Sequence, residues 1–185
     1  PLPDTLIPPT NEASLAWLEG APGRTVIAFH HPGDRRLHAI EREPGQAWTE
    51  TYVDPSMVAG SGRHPRLAVD DLGQRWIAHL NLDGFDQLLL TRYGPAPGAV
   101  TEVLDTLTSD LSAARPRLAV VAESGDLYLS YHRAGSAELR VLHRRPSGSV
   151  ASTSITGPDQ MIGEFHALTS DAEGQPALAY SVRMG

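Results

Sequence analysis

Residues 65–93 read PRLAVDDLGQRWIAHLNLDGFDQLLLTRY. Three short apolar runs, Leu67–Val69, Trp76–Leu80 and Leu88–Leu90, are separated by the turn formers Asp71-Leu72-Gly73 and Asn81-Leu82-Asp83-Gly84. Apolar runs this short, bounded by Gly, Asn and Asp, are strand signals. A weaker copy begins at Pro116, PRLAVVAESGDLYLSYHRAGSAELRVLHR.

Working outward, the same order of runs recurs. Upstream stand Ser14–Leu18, Thr25–His30, Leu37–Ile40 and Trp48–Val53. The central unit closes with Val100–Leu104, and the Pro116 copy closes with Val150–Ile155. A last partial unit holds Ala167–Thr169 and Ala177–Tyr180. Leu15, Leu67 and Leu118 fall 52 and 51 residues apart, and the turn glycines Gly73, Gly125 and Gly174 are spaced 52 and 49 apart. The second strands align as Ile27-Ala28-Phe29-His30, Ile77-Ala78-His79-Leu80, Leu129-Ser130-Tyr131-His132 and Leu178-Ala179-Tyr180-Ser181. No window carries a sustained helical period, so the chain is read as all-β. Four strands in a repeat of about fifty residues are the pattern of β-propeller blades. The expectation is a propeller or partial propeller with three complete four-stranded blades, at about 12–54, 65–105 and 116–156, plus a half blade at 165–185. The Thr5-Leu6-Ile7 patch within residues 1–11 is a candidate closing strand, and a second copy or chain is the alternative way to complete the ring.

Composition narrows the function classes. The chain has 185 residues, 41% of them hydrophobic, which suffices for a core. A net charge of −7 argues against nucleic acid as a partner, and no apolar run approaches a membrane span. Cysteine is absent, which removes disulfides, thiolate nucleophiles and Cys-ligated metals. All fifteen basic residues are Arg, so Schiff-base chemistry and the phosphate-loop lysine are excluded too.

The first strand, the D-x-x-G turn, the I-A/S-aromatic second strand and the third strand of the L-x-x-x-R kind resemble the blades of bacterial sialidase-like and related Asp-box propellers. Asp71-Leu72-Gly73-Gln74-Arg75-Trp76 matches the D-x-G-x-x-W core of that box, although Val69 stands where the box has Ser or Thr. The resemblance covers most of the chain and speaks to architecture. It implies that ligands would sit on the face carrying the loops after the second and fourth strands, and it favours a secreted, periplasmic or cell-surface location.

On that face the sequence places Arg66, Arg117 and His166 at the starts of first strands, with His30, His132, Arg133 and Asp83 at or just beyond the ends of second strands. The arginine fork suits carboxylate recognition, and in sialidases an arginine cluster binds the substrate carboxylate. An arginine after proline also serves as a structural ion pair. His30 and His132 occupy equivalent positions, but Leu80 and Ser181 complete that set, so no metal is expected and no cofactor is implied. No catalytic residue stands out. The expectation is a non-enzymatic module binding a glycan, a small anion or a protein. The alternatives are a propeller glycosidase or polysaccharide lyase, and a scaffold that completes a propeller by self-association as a homodimer.

Overall fold

The computed structural model is all-β and describes residues 13–17, 24–53, 60–82, 86–94, 98–106, 115–121, 124–157, 160–171 and 173–184. Residues 1–11 and Asp83 lie outside that set. The chain divides into two compact units, Pro1–Thr106 and Leu107–Gly185.

In the first unit, β1 (Ala13–Trp17), β2 (Thr25–His31), β3 (Arg36–Arg42) and β4 (Thr49–Tyr52) form one antiparallel sheet in chain order. A second sheet follows from β5 (Arg63–Val69), β6 (Arg75–Asn81), β7 (Gln87–Tyr93) and β8 (Val100–Thr106). The second unit holds a four-stranded sheet of β9 (Arg117–Val121), β10 (Asp126–Arg133), β11 (Glu138–Arg144) and β12 (Val150–Ile155), with a two-stranded hairpin of β13 (Gln160–Ser170) and β14 (Pro176–Met184). These meanders are of the kind the repeat implies.

The pairing register reproduces the alignment of the repeat. Leu15 pairs with Ile27, Leu67 with Ile77, Leu118 with Leu129 and Leu168 with Leu178. Arg66 and Arg117 then face the small residues Ala78 and Ser130 across their ladders. His166 differs: it pairs with Tyr180, and Ala167 is the residue in register with Arg66 and Arg117. The expectation that His166 opens its strand at the same position is therefore off by one, because the pairing of β13 shifts between Ile162 and His166.

Burial explains why the second strands read as continuous apolar runs rather than alternating ones. Every residue of β6 is buried, and β2 is buried from Thr25 to His30. Val26 and Ala28 join Leu37, Ala39, Val53, Leu67, Ile77 and Tyr93 in one core, while Ile27 and Phe29 pack with Ile40 on the other face of the sheet. The outer strands β8 and β12 are largely solvent-facing.

The segment entering β5 is pressed onto the first sheet. Gly62 has φ +86°, and a Cβ on it would lie 2.7 Å from the Leu37 Cα. Gly163, near the start of β13, repeats the contact in the second unit with φ +82° and Leu139 as its neighbour. Leu37 and Leu139 are the partners of His30 and His132. Only glycine meets both demands, positive φ and no side-chain volume.

Gly62→Ala should lower unfolding stability by about 2–4 kcal/mol, from left-handed backbone strain and overpacking together. Gly45→Ala serves as the comparison, since Gly45 has φ +76° but nothing within 4 Å of its would-be Cβ. Urea unfolding that gave equal losses for the two variants would remove the Leu37 contact as a constraint.

Candidate functional site

The expected site residues fall into two groups, one in each unit. In the first unit His30 is committed. Its Nδ1 lies 2.9 Å from the Ser61 carbonyl, both residues are buried, and the ring donates there to the loop that carries Gly62. The Arg66 guanidinium turns back to its own strand, with Nη1 donating to the Pro65 carbonyl at 2.8 Å.

The second unit brings Arg117, His132 and His166 together. Arg117 pairs with Ser130, two residues before His132 on β10. Its Nε donates to the His166 carbonyl at 3.0 Å, and Nη1 reaches the Pro116 carbonyl at 3.4 Å. The His166 ring is buried between two carbonyl oxygens, Nδ1 at 2.9 Å from Gly163 and Nε2 at 3.2 Å from Ser130. A neutral imidazole donates through one nitrogen only, so one of these contacts lacks its proton unless the ring is charged. His132 is 1% exposed, and among the described residues neither ring nitrogen has a hydrogen-bond partner. Arg133 is held by an ion pair to Glu138 at 3.2 Å.

Burial is the main force on the charges here. It lowers the His166 pKa below the ordinary 6.5, aided by the positive charges of Arg117 and His132 and opposed by the two carbonyls. Burial also lowers His132, against the pull of Glu164. Arg117 is lowered by burial and by the like-charged Arg115. Among the described residues no carboxylate forms an ion pair with Arg117. The arrangement is a half-buried cation beside two imidazoles, with its donors turned to carbonyls.

Sequence reasoning missed Arg115, although His64-Pro65-Arg66 and Arg115-Pro116-Arg117 share a basic-Pro-Arg pattern that would have flagged it. It placed His31 beside His30 at the end of a second strand but did not group it with Asp34 and His38, whose ligating atoms lie, with its own, within 4.8 Å of one another. The Asp-box assignment needs correction. Asp70, not Asp71, organises the turn: its Oδ1 accepts from the backbone N–H groups of Leu72 and Gln74, and its Oδ2 accepts from the Trp76 indole at 3.0 Å. Asp171 makes the same pair of backbone contacts before β14.

No family model matches the chain, and no curated protein matches it. Among solved structures it is similar to a leech intramolecular trans-sialidase, determined as a complex with 2,7-anhydro-Neu5Ac prepared by soaking with 3'-sialyllactose. The TM-score is 0.59 at 13% identity, over 85% of this chain and 26% of that one. The likeness is one of fold. Among the described residues no helix is long and apolar enough to cross a membrane.

The depressed imidazoles carry a sign for stability. Between their folded-state values and 6.5 the unfolded chain binds more protons, so stability rises with pH across that window. Urea midpoints should therefore fall on acidification below pH 6.5, and His166→Gln should lessen that fall. A midpoint that rose on acidification would contradict the assignment.

Proposed function

We propose that the chain is a non-enzymatic binding module of β-propeller type. Its blades lie at about 12–54, 65–105 and 116–156, with a half blade at 165–185. It takes a small carboxylate or an acidic glycan at Arg117, beside His166 and His132. The observation that carries this reading is Arg117 itself. A half-buried guanidinium stays charged, and burying charge without an acid is costly. Carbonyl dipoles offset part of that cost, and a ligand carboxylate would offset more through a bidentate pair. His166 adds to it, since an anion beside the ring would favour the imidazolium that both carbonyls accept from. Arg66, in register with Arg117, is the corresponding cation of the first unit.

The sialic-acid derivative held by the leech enzyme makes 3'-sialyllactose a reasoned first probe, with lactose as its uncharged comparison. Titration calorimetry should show sialyllactose binding that lactose lacks. Arg117→Ala should weaken it about tenfold or more, since hydrogen bonds to charged groups contribute about 1.5–3 kcal/mol. Equal affinity in the variant would sink the Arg117 site. Release of free sialic acid during the titration would move the chain to the glycosidase reading.

A second reading, self-association, has its own observation. The β13–β14 sheet has two strands where the others have four, and Phe165, Tyr180 and Val182 on it are 62%, 42% and 51% exposed. A strand edge beside exposed apolar side chains invites pairing with another chain. Light scattering should then give a mass near twice 19.9 kDa, reduced to the single-chain value by Val182→Lys. A monomer at every concentration tested would exclude the scaffold.

A further inference from the structure

The tip of the first sheet carries a cluster that the anion site does not use. β2 ends at His31, the chain turns through Pro32-Gly33-Asp34-Arg35, and β3 brings His38 back alongside. His31 Nδ1 lies 3.1 Å from Asp34 Oδ1, and His38 Nε2 lies 2.8 Å from Asp34 Oδ2. The two imidazole rings stack with centroids 4.7 Å apart. From this geometry we infer that His31, Asp34 and His38 form a binding site for a divalent transition-metal ion.

Two imidazoles and one carboxylate are the donor set that first-row ions such as Zn²⁺, Ni²⁺ and Co²⁺ take. An ion about 2.1 Å from each donor, with donors at near right angles, spaces neighbouring donors by about 3 Å. The two contacts to Asp34 have that spacing, one at each carboxylate oxygen. The ligating atoms as a set lie within 4.8 Å, and small side-chain rotations would close them to the about 4.2 Å that one ion spans. The outer contacts also suit a metal. His38 Nδ1 is 2.7 Å from Glu50 Oε1, so a ring that donates Nδ1–H to that carboxylate can offer its Nε2 lone pair to an ion held at Asp34. A carboxylate behind a ligating histidine fixes ring and tautomer in the same way at known metal sites. At His31 Nδ1 two neighbours make opposite demands: the Asp34 carboxylate needs a donor or a cation there, whereas the Asp34 N–H, 3.3 Å away, needs an acceptor. A cation between Nδ1 and Oδ1 would take the single Nδ1 lone pair and remove its repulsion with the carboxylate, giving up only the long 3.3 Å contact from the Asp34 N–H.

The fold does not need these side chains. In the ladders of the second and third sheets the positions of His31 are held by Asn81 and Arg133, and those of His38 by Leu89 and Arg140. The same antiparallel pairing of second and third strands forms with all three sets. Asp34 is half exposed to solvent and three protein donors leave coordination positions open, so the ion would be reachable by an exogenous ligand.

Zn²⁺ titration by calorimetry on tag-free protein, with Co²⁺ absorption as a second readout, tests the site. One ion per chain should bind, with affinity falling at least tenfold in His31→Ala and in His38→Ala. Glu50→Gln should cost about 10–100-fold through His38 orientation. His143→Ala, whose ring is paired with Asp126 at 2.7 Å in the other unit, should leave affinity unchanged. Circular dichroism of each variant checks that the sheets persist. Absence of saturable binding, or equal affinity in folded His38→Ala protein, would overturn the inference, and a loss confined to His143→Ala would place the ion elsewhere.

Discussion

The contact of Gly62 with Leu37 is the constraint on which the first unit's arrangement depends. Because nothing projects from Gly62, the 60–62 segment lies flat against the start of β3 and loses its water. Every backbone polar group brought in with it then needs a protein partner. The Gly60 N–H donates to the Arg35 carbonyl at 2.7 Å, the Gly62 N–H donates to His79 Nδ1 at 3.0 Å, and the Ser61 carbonyl takes His30. The His79 proton therefore sits on Nε2 and is donated to Thr91 Oγ1 at 2.8 Å, whose hydroxyl lies 2.7 Å from Thr101 Oγ1. A polar chain thus runs across β6, β7 and β8 inside an apolar sheet, and its direction starts at one glycine. Half-satisfied, such a chain would cost more than an apolar core; complete, it ties three strands to the loop.

The second unit keeps the glycine and changes the partners. Gly163 packs on Leu139 as Gly62 does on Leu37, but the Gly163 carbonyl is taken by His166, three residues further along the same strand. His132, in the position of His30, has no hydrogen-bond partner for either ring nitrogen among the described residues. One packing solution therefore yields a ring tied to a carbonyl in the first unit and a buried ring without that tie in the second. Where the repeats agree they serve packing, and where they part the polar contacts differ.

That division also explains what was legible from the sequence. The apolar positions repeat because the second strands β2, β6 and β10 are largely covered on both faces. Ile27, Ile77 and Leu129 could therefore be aligned by residue type, with Leu178 following them in register on the more exposed β14. The turn glycines Gly73, Gly125 and Gly174 were legible because each has positive φ, at 72°, 68° and 75°. Occupancy of side chains was not. That His30 is spent on a carbonyl and Arg133 on Glu138 depends on backbone placement, which residue type does not reveal. The Asp70-Asp71 pair shows the limit most clearly. Both fit a turn, and only geometry shows that Asp70 accepts from the Trp76 indole while Asp71 faces solvent.

A charged group drawn into a sheet fold needs a reason, and the buried Arg75 and half-buried Arg117 answer differently. Arg75, with its side chain 4% exposed, donates to Glu41 at 2.8 Å, and Arg24 shares the same oxygen at 2.7 Å. Glu41 lies on β3 and Arg75 on β6, so the triad links the two sheets of the first unit through atoms with fixed positions. Such an arrangement adds little net stability over apolar packing. It does penalise any slip of one sheet against the other, since a slip would leave a buried charge alone. Arg75 is thus explained by the chain itself. Arg117 has no such acid among the described residues, and its contacts to carbonyls lower the cost of burial without neutralising it. The contrast between the two, rather than the presence of arginine, is what makes the Arg117 cluster the place to look for a ligand.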